Sequence, residues 1–332
     1  MRASGWIALG VSLVALVVSL TAIAMSYHTY RYVARSRDVS YRVIREAARP
    51  TCCPPTQNAT PAPAAKTERE KYRAVHLPWA AMENPEMVAQ LIKNGQDVNA
   101  RDEDGRTALH FAVLQNHYQT AKLLLDKGAH VNVKEHSSEG GFCGWGWYPL
   151  HLALRNENMD MVKLLISRGA NVNALRTDKW IPMCTAAYHG QPDVIEYLIS
   201  KGAKVNYWFS EPLCIAADQG KFDAVKVMLR HGANVNAIQQ WDGQSALELA
   251  AGHGNLGIAK LLINKKAKIN VADKEGKTPL FEAASSGHVD TVKLLVSKGA
   301  NVNARTKANV SVLHAAKSDE VRTVLLRHGA RE

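Results

Sequence analysis

Residues 278–303 read TPLFEAASSGHVDTVKLLVSKGANVN, and most of the chain is built from variations on this stretch. It opens on Thr278-Pro279-Leu280, places a glycine at 287, runs through Val292, Leu294, Leu295 and Val296, and closes on Gly299-Ala300-Asn301-Val302-Asn303. Apolar residues at helical spacing ahead of Gly-Ala predict a helix that a glycine ends, and Gly287 marks the turn out of a shorter helix before it. The unit is therefore a loop, a short helix, a turn and a second helix.

Both ends of the stretch recur. The closing phrase returns as GAHVN (128–132), GANVN (169–173), GAKVN (202–206) and GANVN (232–236), with GQDVN (95–99) and KAKIN (266–270) as variants. From position 95 to 329 the intervals are 33, 41, 33, 30, 34, 33 and 30 residues. The opening phrase returns as TALHFA (107–112), YPLHLA (148–153), IPMCTAA (181–187), EPLCIAA (211–217), SALELAA (245–251) and VSVLHAA (310–316).

A period near 33 joined to a T-P-L-H-x-A phrase resembles the ankyrin repeat. The resemblance covers about residues 72–332. It implies an all-α ankyrin-repeat solenoid of about seven to eight helix pairs with inter-repeat β-hairpin loops, which binds proteins on its concave surface and hairpins and has no catalytic activity. It also assigns His110, His151 and His314 a structural hydrogen bond in the turn. The first unit is atypical and the last lacks about three residues between Ala316 and Val321, as expected of capping units.

Composition agrees with a folded chain. With 46% hydrophobic and 21% charged residues the 332-residue chain is too apolar to be disordered throughout, and five cysteines are too few for a disulfide-built scaffold. Cys184 and Cys214 occupy the same phrase position in adjacent units, but stacked helices lie about 8–10 Å apart, beyond the roughly 7 Å reach of a disulfide. They read as small buried side chains. There is no CxxC, HExxH, GxSxG or phosphate-binding loop, so no cofactor, metal or small-molecule substrate is expected.

Departures from the repeat point to the partner-binding residues. The interval of 41 places about eight extra residues in the loop HSSEGGFCGWGWY (136–148), and such insertions map to loops that often bind. Five tryptophans, Trp145, Trp147, Trp180, Trp208 and Trp241, all lie between a VN phrase and the next opening phrase. Together with Phe142 and Phe209 they are the candidate contacts for a protein partner. Two readings stand: an exposed aromatic ladder that binds, or indoles that pack on their own hairpins and stiffen the array.

The first thirty residues differ from the rest. Trp6 to Met25 form a twenty-residue apolar run, enough to span about 30 Å as a helix, and predict an N-terminal membrane anchor within residues 1–27. The competing reading is an exported protein, cleaved near Ala24 after Ala22-Ile23-Ala24, although the run exceeds the usual 7–15 residues of a signal peptide. Arg31, Arg35, Arg37 and Arg42 follow it, which favours a cytoplasmic repeat domain and attraction to membrane lipid. Residues 28–71 read as a basic stalk and a Pro-rich linker, with Pro50, Pro54, Pro55, Pro61 and Pro63.

The charge divides accordingly. Of the net +11, residues 1–73 supply +7 and the remaining 259 only +4, so the basic balance speaks of topology and no nucleic acid is expected. The reading that results is a single-pass membrane protein whose solenoid scaffolds or tethers a protein partner.

Overall fold

The computed structural model describes residues 77–81, 85–102, 104–135 and 146–331. The apolar run 6–25, the stalk and linker, and Phe142 and Trp145 lie outside the described residues. Within them, sixteen helices follow one another in eight pairs: α1 (Leu77–Ala80) and α2 (Pro85–Lys93), α3 (Ala108–Leu114) and α4 (Tyr118–Asp126), α5 (Pro149–Arg155) and α6 (Met159–Ser167), α7 (Pro182–His189) and α8 (Pro192–Ser200), α9 (Pro212–Asp218) and α10 (Phe222–Arg230), α11 (Ala246–Gly252) and α12 (Leu256–Asn264), α13 (Pro279–Ser286) and α14 (Val289–Ser297), α15 (Val312–Ala315) and α16 (Asp319–Arg327). The first helix of the first and last pairs has only four residues. No described helix is long and apolar enough to cross a membrane.

The opening phrase starts each first, or inner, helix. Pro149, Pro182, Pro212 and Pro279 sit at the first helical position, where a missing N–H costs nothing, and Ser245, Thr278 and Ser311 cap their helices by accepting a backbone N–H. The sixth residue of the phrase is a fully buried alanine in unit after unit: Ala112, Ala153, Ala186, Ala216, Ala250 and Ala283. With no side chain beyond Cβ, successive inner helices pack closely against one another. The second, or outer, helices stack in turn through Leu124, Leu165, Leu198, Met228, Leu262 and Leu295, none of them solvent-exposed. Burial of each such side chain contributes roughly 1.5–3 kcal/mol, and the core runs unbroken from Leu77 to Ala330.

The closing phrase joins one unit to the next through its asparagine. Asn206 donates from Nδ2 to the carbonyl of Gly232 (3.0 Å), and its Oδ1 accepts the N–H of Asn234 (2.7 Å). Asn99, Asn132, Asn173, Asn270 and Asn303 make the same two bonds to the unit that follows each of them. The glycine that receives the bond has a φ near +85°, so its carbonyl turns back toward the preceding asparagine. In the variant KAKIN the left-handed position falls to Lys266 (φ +68°), and there Asn236 still accepts the N–H of Lys268 (2.8 Å).

The fourth residue of the opening phrase faces the interior and changes chemistry along the array. His110 fits as the family pattern implies: its Nδ1 receives the N–H of Thr107 (3.1 Å) and lies 3.0 Å from its hydroxyl. Burial lowers its pKa to about 4. Tyr148 replaces the threonine ahead of His151, so the imidazole loses that hydroxyl and packs against the rings of Tyr148 and Trp147, neutral and fully buried. His314, in the short α15, is exposed.

Cys184 and Cys214 take the same position, unbridged, their thiols donating to the carbonyls of Ser210 (3.1 Å) and Ala237 (3.4 Å). Burial pushes Cys184 up to about 12 and Cys214 well above the usual thiol value, which removes both as nucleophiles at neutral pH.

Glu248 is the fourth residue of its phrase and is fully buried. Desolvation, reinforced by Asp273 and Glu282, raises its pKa from 4.5 to about 9, so the folded chain carries it as a neutral acid at pH 7. The unfolded chain releases that proton above pH 4.5, so the stability linked to this group is complete below 4.5 and falls as the pH rises toward 9. Glu248→Gln is therefore expected to stabilise the protein by about 2–4 kcal/mol at mildly alkaline pH, with the gain vanishing near pH 4.5. Urea unfolding of both proteins across this range checks it; a difference independent of pH would contradict it.

Candidate functional site

Between outer helices and the next inner helices the chain makes hairpins, and in six of the seven the neck is closed at a fixed register. Three residues after the VN asparagine, a backbone N–H bonds across to the returning arm: Asp102 to Arg106 (2.9 Å), Glu135 to Trp147 (3.0 Å), Arg176 to Trp180 (3.0 Å), Gln239 to Gln244 (2.9 Å), Asp273 to Lys277 (2.9 Å) and Thr306 to Val310 (3.0 Å). Isolated antiparallel bridges mark three of these hairpins, at Arg101–Thr107, Ile238–Ser245 and Arg305–Ser311.

Where an aspartate stands at the neck it folds the turn by itself. Asp102 and Asp273 each accept two backbone N–H groups from their own hairpin through one carboxylate oxygen. Neighbouring tips also touch: the N–H of Lys274 reaches the carbonyl of Asp242, and that of Lys307 the carbonyl of Glu275 (both 2.8 Å). Gly276 permits this approach, because a Cβ there would come within 2.8 Å of the Lys307 nitrogen.

Arg176 replaces aspartate at the neck of its hairpin, and its place determines where two of the tryptophans go. Its guanidinium lies 3.7 Å from the centre of the Trp147 ring and pairs with Asp178 at 2.8 Å. Arg155 approaches the same indole at 5.5 Å, so two cations contact Trp147. Trp180 continues the stack, 5.7 Å from Arg176 and 6.0 Å from the Tyr188 ring. Glu135 accepts the backbone N–H of Trp147 through its carboxylate (3.2 Å), and burial raises its pKa from 4.5 to about 7 despite Arg106 and Arg176 nearby. Trp147 and Trp180 are thus half-buried members of a cation–aromatic stack.

Trp208 and Trp241 lie differently. Gly202 to Gly232 spans 30 residues, three short of the period, and the missing residues fall in a hairpin reduced to Tyr207-Trp208-Phe209-Ser210. No arm remains for the indole to pack on. Trp208 is 66% exposed, with Phe209 edge-to-face at 5.5 Å and the Tyr207 ring tilted at 6.5 Å. Trp241, at the tip of the next hairpin, is 41% exposed, and Lys274 holds its backbone carbonyl at 3.1 Å.

Two further apolar residues join them that the tryptophan pattern does not include. Leu175 (37% exposed) and Ile238 (43%) occupy the same register as Trp208, two residues after the asparagine. Leu175, Trp208 and Ile238 form one column on successive hairpins, with Trp241 beside it. Arg101, Lys134 and Arg305 hold that register toward the two ends of the array, so the column is apolar in the middle and basic at its ends.

The family model described as Ankyrin repeats (3 copies) matches residues 58–135, 136–207 and 213–306. The chain belongs to the ankyrin repeat family. Among solved structures it is similar to the ankyrin repeat domain of Bcl-3, described as a unique member of the IkappaB protein family, with a TM-score of 0.56 and 25% identity over 68% of this chain and 100% of that one. An ankyrin repeat protein of fowlpox virus is 48% identical over 50 residues, 15% of this chain and 12% of its own length. Acyl-CoA-binding domain-containing protein 1 of Arabidopsis thaliana is 42% identical over 59 residues (18% of this chain, 17% of its own), and serine/threonine-protein kinase 12 of the same plant 37% over 83 (23% and 18%). The chain spans less than a fifth of the length of each of these curated relatives. Ankyrin repeats are what it shares with a family whose domains typically serve protein–protein interaction.

The two pairs of tryptophans separate under mutation. Trp147→Ala removes a packed indole that two guanidinium groups contact and is expected to destabilise the solenoid by about 2–4 kcal/mol, whereas Trp208→Ala stays within about 0.5 kcal/mol. Urea denaturation followed by circular dichroism distinguishes them, and equal losses would contradict the division.

Proposed function

We propose that this chain is a non-enzymatic, membrane-tethered scaffold that holds a protein partner on its hairpin edge. The observation that carries the binding half is the exposed column of Leu175, Trp208 and Ile238 with Trp241 at its side. Contiguous exposed apolar surface is rare on soluble domains and marks interfaces, and tryptophan dominates their energetics. Trp147 and Trp180 support this edge from beneath, holding their hairpins in register beside it. The buried thiols and neutral imidazoles of the opening phrases offer no reactive group, which favours binding over catalysis.

The tethering half rests on the sequence. The apolar run 6–25 has the length of a bilayer span, Arg31, Arg35, Arg37 and Arg42 follow it, and the Pro-rich linker to residue 71 separates the span from the repeat domain 72–332. The basic flank favours the cytoplasmic side for the solenoid, and a tether there raises the effective concentration of its partner at the membrane.

Proximity labelling with the full chain tests the proposal. Trp208→Ala with Trp241→Ala should abolish labelling of the partner while the melting temperature stays within about 2 °C; unchanged labelling by a folded double variant would overturn the binding edge. The same preparations report on the tether, because resistance to alkaline extraction from membranes is expected and a mature terminus at Met25 would contradict it.

A further inference from the structure

All outer helices run in the same direction, so their C-terminal ends line up along one edge of the solenoid and their N-terminal ends along the opposite edge. Charge follows this division. The residue capping the C-terminus of α4, α6, α8, α12 and α14 is Lys127, Arg168, Lys201, Lys265 and Lys298 in turn, and a histidine takes the place after α10 and α16. Three residues on, in the closing phrase, stand Lys204, Lys268 and Arg331, and Lys266 adds to them; all four are exposed. The acids on this edge are partly neutralised, since Asp126 is bridged by Arg168 (2.8 Å) and Glu196 by Arg230. On the far edge, where each inner helix turns into its outer helix, the fixed charge is mostly acidic: Glu157, Asp160, Asp193, Asp218, Asp223 and Asp290.

Helix dipoles favour this polarity, but they do not require the additional lysines of the closing phrase. A domain of net charge only +4 thus has one strongly basic edge. At stacked-helix spacing of about 8–10 Å, seven units lay these charges in a row roughly 60 Å long.

We propose that this row is a docking surface for an anionic lipid membrane. Its charges are mostly lysine, a point charge on a flexible stem that suits the diffuse attraction of an anionic surface, where base-specific and bidentate nucleic-acid recognition favours the planar fork of arginine. Exposed aromatics that could stack on bases are absent from the row: Trp208 and Trp241 belong to the hairpins. The row's charges are spread over successive units and not gathered at one point, as a sheet of singly charged headgroups requires. Residues 50–76, if extended, reach roughly 80 Å, ample for the edge to meet the bilayer in which the chain is anchored. The inference rests on the tether only for which membrane is nearest; the edge itself is a property of the solenoid.

The test uses the full chain on vesicles of phosphatidylcholine alone or mixed with phosphatidylserine, with lysine acylation read residue by residue. Lys201, Lys265, Lys268 and Lys298 should react roughly tenfold more slowly on the anionic vesicles, the protection should disappear in high salt, and Lys307 in its hairpin should not change. Replacing four positions together, Lys201→Glu, Lys204→Glu, Lys265→Glu and Lys268→Glu, should remove the protection of Lys298 while the helical signal is kept and melting falls only by the few degrees that charge reversal at the C-termini of α8 and α12 costs. Equal rates on both vesicles would overturn the proposal, as would protection given by duplex DNA on neutral vesicles but not by the anionic lipid. Release from neutral vesicles by alkaline wash would contradict the tether alone, leaving the anionic footprint readable.

Discussion

Two hydrogen bonds from one asparagine per unit set the geometry on which the solenoid's surfaces depend. Asn173, for example, bonds the carbonyl of Gly202 at 3.0 Å and the N–H of Lys204 at 2.9 Å, so the end of one outer helix is held to the beginning of the preceding hairpin. Helix packing alone would permit sliding along the stack, because the contacts between alanine and leucine columns are not directional. A side-chain amide that donates and accepts at once is directional, and it puts corresponding residues of successive hairpins side by side. Columns of exposed residues, apolar on the hairpins and basic at the helix ends, exist because this register is kept.

Within a fixed register, function comes from local exceptions. A hairpin three residues short leaves Trp208 with nothing to pack on. An arginine in place of the neck aspartate brings Trp147 and Trp180 inward, where Arg176 and Arg155 hold them. Buried polar groups absorb other exceptions without consequence for binding: Cys184 and Cys214 substitute for the signature histidine by donating to a neighbouring carbonyl, and Glu248 does so by keeping its proton.

Much of this was legible in the sequence and part was not. The helix pairs, their order and the burial of Cys184 and Cys214 followed from the two recurring phrases, because each phrase carries its own start or stop signal. The shared place of the tryptophans, between a VN phrase and the next opening phrase, suggested a single ladder; whether an indole is exposed depends instead on the length of its hairpin and on the residue at the neck of the next one. Arg176 looks like any surface arginine in the sequence, and only its distance of 3.7 Å from Trp147 shows its role. Leu175 and Ile238 were missed for a related reason: an isolated aliphatic residue means little until the register shows that it lies beside Trp208. The same holds for the basic edge, since +4 averages over two edges of opposite sign.

Amide hydrogen exchange at Asn234 tests the central role of the asparagine bond most directly. Asn234 is exposed and lies outside any helix, yet its N–H is bound to Asn206 Oδ1 at 2.7 Å. Its amide is expected to exchange at least about a hundredfold more slowly than in an unstructured peptide, and Asn206→Ala should abolish that protection while the helix amides of α9 keep theirs. Exchange at the unstructured rate in the native chain, or protection that survives Asn206→Ala, would contradict the account.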